Sequence, residues 1–118
     1  MRCIEDPSLV QRLAREQVPL TVCPLSNVKL CVFPDLARHP LRALLEAGIC
    51  ATVNSDDPAY FGGYVDQNFV ETSAALALSA RDAYALAHNS FTASFVGPES
   101  KRRWIEQLDA AFASFAVA

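Results

Sequence analysis

Apolar residues recur at helical spacing near the start of the chain, gather into two short runs, and return to helical spacing in the C-terminal half. Leu9, Val10 and Leu13 share one face of a helix that Asp6 and Pro7 open. Asp6 is suited to cap the free N–H groups, and proline at the first helical position has no hydrogen bond to lose. Pro19 forces that helix to stop by Gln17, because a proline further in would clash with the preceding turn. Residues 19–23 then read as a short buried strand, ended by Pro24, with residues 25–29 leaving it as a polar loop. His39-Pro40 opens a second amphipathic helix over 41–47, which Gly48 closes. Residues 49–54 form a near-continuous apolar run, the pattern of a parallel strand covered on both faces. Helices are predicted over 68–78, from 80 to about 95, and over 98–115, the last opened by Gly97-Pro98.

Helix, strand, helix, strand and then several helices is an α/β order, with parallel strands joined by crossover helices. Two strands do not make an independent sheet of that kind, since both faces need cover and both edges need partners. The expectation is therefore a portion of a larger α/β domain, its C-terminal part, occupying residues 1–118.

Composition narrows the function classes. With 52% hydrophobic residues the chain has ample material for a core. A formal net charge of −3 gives no electrostatic basis for binding nucleic acid or an anionic membrane. No apolar run reaches the roughly 20 residues of a membrane-spanning helix, and the N-terminus lacks a secretory signal pattern. Cys3, Cys23, Cys31 and Cys50 are irregularly spaced, with no CxxC or Cys/His ligand pattern. They read as reduced, mostly buried cysteines of a soluble cytoplasmic protein.

The strongest chemical signal is Asn54-Ser55-Asp56-Asp57-Pro58, at the C-terminal end of the second predicted strand. Ligand and catalytic groups collect at that end of parallel strands. Two readings stand for the paired carboxylates: Asp57 as a helix cap with Asp56 a solvated neighbour, or a metal ligand and a substrate contact side by side. The following Ala59-Tyr60-Phe61-Gly62-Gly63-Tyr64 suits either a lid over a flat ligand or a packed turn. Ser26 and Asn27 leave the first strand on the same side as Asp56, where they can bind a ligand or satisfy loop backbone. His39 and His88 lie away from the predicted strand ends and read as structural or solvent-facing. Lys101-Arg102-Arg103 reads as a solvated helix face.

Taken together, Arg2-Cys3-Ile4-Glu5-Asp6-Pro7, Cys23-Pro24-Leu25-Ser26-Asn27, His39-Pro40 with its helix to Gly48, and Asn54-Ser55-Asp56-Asp57-Pro58 resemble the adenosine/adenine deaminase family of metal-dependent TIM-barrel hydrolases. Ser26-Asn27-Val28-Lys29-Leu30 and residues 59–64 look most like its adenine deaminase branch. The resemblance implies an α/β fold that is the C-terminal portion of a (β/α)8 TIM barrel, about its last two strands with their helices. It implies that Asp56 is the carboxylate zinc ligand and that Asp57 contacts the purine. In that family zinc activates water for attack on the amino-bearing ring carbon, a glutamate moves the proton, and adenine becomes hypoxanthine and ammonia.

The departures from the pattern are large. The family's His-x-His pair, its further zinc histidine, its glutamate and its second active-site histidine have no counterpart in this chain, and Met1 stands where the glycine of a His-Gly pair is expected. No catalytic residue is therefore expected within it. One carboxylate does not hold a catalytic zinc, which takes about three protein ligands. The expectation for the isolated chain is inactivity, with self-association or a complementing fragment covering its exposed strand edges. Adenosine as the substrate, a noncatalytic interaction fragment and the product of a truncated gene are the alternatives.

Overall fold

The computed structural model describes residues 2–117, so the expectation placed on Met1 lies outside the described residues. After a 3-10 turn at Arg2–Glu5, helix α1 (Pro7–Glu16) begins where the sequence predicts. The Asp6 carboxylate accepts hydrogen bonds from the Ser8 and Leu9 backbone N–H groups at 2.9 and 3.1 Å. The helix ends on Gln17, which adopts a left-handed φ of +51° ahead of Pro19. The Gln17 amide then donates to Ala14 O and Gly48 O at 2.7 and 2.9 Å, fastening this end to the turn before the second strand.

Strand β1 (Leu20–Val22) pairs in parallel with β2 (Ala51–Val53), in the register Leu20 to Ala51 and Val22 to Val53. Helices α2 (Pro24–Lys29) and α3 (Leu41–Glu46) lie in the crossover between them. Alternation puts Leu20, Val22, Ala51 and Val53 on one face of the pair, where they pack with Leu41, Leu44, Ile49 and Leu86. Leu41 and Ala51 are fully buried. Thr21 and Thr52 share the other face, and the Thr52 hydroxyl donates to Leu20 O at 3.0 Å.

The rest of the chain is helical, with α4 (Pro58–Phe61), α5 (Val65–Leu76), α6 (Ala80–Ala93) and α7 (Pro98–Val117). Ser79 and Asp82 form a reciprocal capping box at the start of α6. Asn89 of α6 donates to Ala51 O at 2.9 Å, anchoring the helix to the backbone of β2. The Arg42 guanidinium donates to Leu76 O at 2.7 Å and to Ala77 O, so α3 satisfies the carbonyls that α5 leaves free at its end.

Three expectations need correction. Residues 25–29 belong to a helix, not a loop: Pro24 sets its first turn, and the Leu25 N–H is accepted by the buried Asn68 side chain at 3.2 Å. The helix predicted from 68 starts at Val65. The cysteines are free, but only Cys50 is buried; Cys3 and Cys23 are half-buried and Cys31 is exposed.

Candidate functional site

Both strands leave the sheet in the same manner, through a residue followed by a helix with proline in its first turn: Cys23-Pro24 after β1, and Asp57-Pro58 shortly after β2. This sets the two exits side by side. Asn54 extends the ladder, its N–H donating to Val22 O at 2.8 Å and its side-chain amide to the Thr52 hydroxyl at 2.9 Å. The chain then turns sharply at Asp56, which holds a left-handed φ of +59°. Aspartate tolerates this region better than most residues with a side chain.

The turn sends the neighbouring carboxylates to different tasks. Asp56 Oδ2 accepts a 2.8 Å hydrogen bond from the hydroxyl of Ser26, a side chain buried in the first turn of α2. Among the described residues no other hydrogen bond reaches the Asp56 carboxylate, so Oδ1 has no protein partner on a residue that is exposed. Asp57 caps α4, with Oδ1 accepting the Tyr60 N–H at 3.1 Å. The capping role foreseen for Asp57 is thus present, while Asp56 is more than a solvated neighbour. Cys23 lies beside them: burial and then the Asp56 carboxylate push its thiol above the usual range, while the Asp56 backbone N–H acts the other way.

A second tie secures the same segment. Asn68, fully buried in the first turn of α5, accepts the Leu25 N–H through Oδ1. Its Nδ2 donates to Gly63 O and Tyr64 O at 3.3 and 3.0 Å. Gly63 packs closely here: a Cβ on it would lie 2.7 Å from the Leu25 Cδ1 methyl, so that side chain would have to shift. The aromatic loop predicted over 59–64 is consequently a short helix and turn, with Tyr60 and Tyr64 turned outward and 77% and 71% exposed.

Ser26 and Asn27 therefore serve protein partners. Asn27 Oδ1 lies 3.2 Å from Nε2 of His39, whose Nδ1 accepts the Leu41 N–H. His39 is structural, as the sequence suggests, and His88 stands on α6 beside Tyr84. Asn68 is a residue of the site that the sequence pattern does not single out. Its available signal was a polar residue four positions before Thr72, a spacing that places both on one helix face.

Among the described residues no group of three or more His, Cys, Asp or Glu side chains could hold a metal ion. What the chain does supply is one exposed carboxylate, Asp56, with one oxygen held by a buried donor and no protein partner at the other. Partners of that kind orient metal-binding carboxylates.

The family model described as adenosine deaminase matches residues 1–111. The chain belongs to the adenosine deaminase family. Over 113 residues it is 64% identical to an adenine deaminase of Trichlorobacter lovleyi, covering 95% of this chain and 32% of that protein. The crystal structure of an adenine deaminase from Arthrobacter aurescens superposes with a TM-score of 0.90 at 47% identity, over 99% of this chain and 35% of that one. An amidohydrolase from Burkholderia ambifaria with bound zinc shares the fold, with a TM-score of 0.84 at 22% identity over 96% of this chain and 32% of that one. The chain thus spans about a third of the length of the relatives it matches. The expected fold class stands: a helix-rich α/β portion of the deaminase TIM barrel with a short parallel sheet.

Proposed function

We propose that this chain is the C-terminal portion of a zinc-dependent adenine deaminase domain, which converts adenine to hypoxanthine and ammonia in purine salvage. Asp56 contributes the carboxylate ligand to zinc, and Asp57 contacts the purine base. The observation that carries this reading is the Asp56–Asp57 pair at the exit of β2, with Asp56 Oδ2 held by Ser26 and its other oxygen open. The high identity to adenine deaminases supports adenine over adenosine. The zinc reported for the B. ambifaria amidohydrolase supports the choice of metal.

Zinc supplies the acidity that lets water attack at neutral pH. This chain's residues hold and orient. Asp56 offers one charged oxygen at a fixed position, and Asp57, whose Oδ1 caps α4, retains Oδ2 for a base N–H. The remaining metal ligands and the proton-transferring glutamate come from the rest of the domain. The remainder of the barrel is also the partner that covers the sheet, since among the described residues β1 and β2 each pair on one side only. Without it, the isolated chain is inactive and self-associates through those edges. Among the described residues no helix is long and apolar enough to cross a membrane. With four free cysteines, a cytoplasmic setting fits.

The test is a chimera in which residues 1–118 replace the matched segment of the T. lovleyi protein. Zinc-dependent hypoxanthine formation from adenine, faster than inosine formation from adenosine, is the expected result. Faster turnover of adenosine overturns the substrate choice. A folded, zinc-loaded chimera that deaminates neither overturns the reading.

A further inference from the structure

Ser26 and Asn68 lie at two ends of one buried brace. Ser26 is 1% exposed and donates its hydroxyl to Asp56 Oδ2. Its chain neighbour Leu25 gives its N–H to Asn68, which is 0% exposed and holds Gly63 O and Tyr64 O with its amide group. The segment from Asp56 to Tyr64 is therefore clamped to α2 at both ends, and Asp57 with its capped helix lies between the clamps. Both side chains are buried; Ser26 bonds the segment at Asp56, and Asn68 bridges Leu25 of α2 to Gly63 and Tyr64 at its other end.

We infer that Ser26 and Asn68 are positioning residues for the Asp56–Asp57 pair: Ser26 directs one Asp56 oxygen away from the ligand side, and Asn68 fixes the α2 turn from which Ser26 acts. The inference rests on the reading of Asp56 as a zinc ligand. Asp56 needs such restraint because its left-handed backbone at φ +59° is not the conformation an aspartate prefers. A carboxylate free to rotate would present either oxygen, and a ligand held by an outer partner typically loses about 10–100-fold in metal affinity when that partner is removed.

The experiment uses the full-length chimera and measures zinc retention against a competing chelator, with adenine turnover followed separately. Ser26→Ala is expected to weaken zinc retention about 10–100-fold, and Ser26→Thr, which restores a hydroxyl, to recover most of it. Asn68→Ala is expected to weaken retention in the parent but to add little once Ser26→Ala is present, because it acts through Ser26. Equal losses for Ser26→Ala and Ser26→Thr, or full additivity of the two alanine variants, overturn the inference. A parent that binds zinc but does not deaminate sinks the functional reading alone, and the zinc series still decides the roles of Ser26 and Asn68. A folded parent that binds no zinc overturns both.

Discussion

His39 Nε2 lies 3.2 Å from Asn27 Oδ1, while its Nδ1 accepts the Leu41 N–H at the same distance. A ring nitrogen that accepts an N–H carries no proton, so the neutral Nε2–H tautomer is the one this pocket holds. Phe33 packs against the ring edge to face, with ring centroids 5.0 Å apart. This neutral histidine joins α2 to the start of α3, across the loop that leads from one strand to the other.

Stability should therefore depend on pH through His39. Burial lowers its pKa from 6.5 to about 4 in the folded state. The unfolded chain binds the proton first, so stability is complete above about pH 6.5, falls as pH drops toward 4 and then levels off, a total of about 3 kcal/mol. Urea unfolding followed by the single tryptophan, Trp104, at fixed protein concentration gives the readout. His39→Gln should flatten the decline between pH 6.5 and 4; an unchanged slope would show that other groups set it.

The Thr72 hydroxyl is the one buried side-chain polar atom among the described residues with no hydrogen-bond partner. An unsatisfied buried hydroxyl costs about 1–3 kcal/mol, and an apolar group of the same shape removes that cost. Thr72→Val is expected to raise stability by about 1 kcal/mol. Leu86→Ala, which empties part of the main core, should lower it by about 2–5 kcal/mol. A destabilised Thr72→Val would mean that the hydroxyl has a partner in solution.

What could be read from the sequence was whatever local chemistry decides. Asp6-Pro7 starts a helix and Gln17 ends one ahead of Pro19 because cap and ring sterics act within a few residues. The two strands were legible from their apolar runs, and Asp56 and Asp57 from their place at a strand exit. Helix α2 was not legible, because Ser26 and Asn27 are poor interior helix formers and their side chains are satisfied by Asp56 and His39, 30 and 12 residues away. Asn68 was hidden for the same reason: the N–H it accepts belongs to Leu25, 43 residues earlier. The brace exists only when both strand exits are side by side.

The tight packing at Gly63 gives a test of that juxtaposition. An added Cβ would sit 2.7 Å from Leu25 Cδ1 and 3.3 Å from Gln67 Cγ. Gly63→Ala should cost about 1–3 kcal/mol, the range for overpacking. Leu25→Ala removes the nearer of these atoms, so in that background most of the penalty should vanish. A double-mutant cycle by urea unfolding measures the coupling. Simple additivity would mean that the α2 turn and the Gly63 turn are not in contact.

Asp57 has two roles that one substitution can separate. Its Oδ1 caps α4 through the Tyr60 N–H, and the functional reading assigns its remaining oxygen to the purine. Serine is as good a cap as aspartate but brings no carboxylate, whereas alanine brings neither. Asp57→Ser should leave the urea midpoint of the chimera almost unchanged, and Asp57→Ala should lower stability by about 1 kcal/mol. On the functional side the two variants should behave alike. Losing a charged hydrogen bond to substrate costs about 1.5–3 kcal/mol, so both should lose at least about tenfold in kcat/KM for adenine. If Asp57→Ser keeps both stability and turnover, the carboxylate serves only as a cap, and the base contact belongs to another residue of the domain.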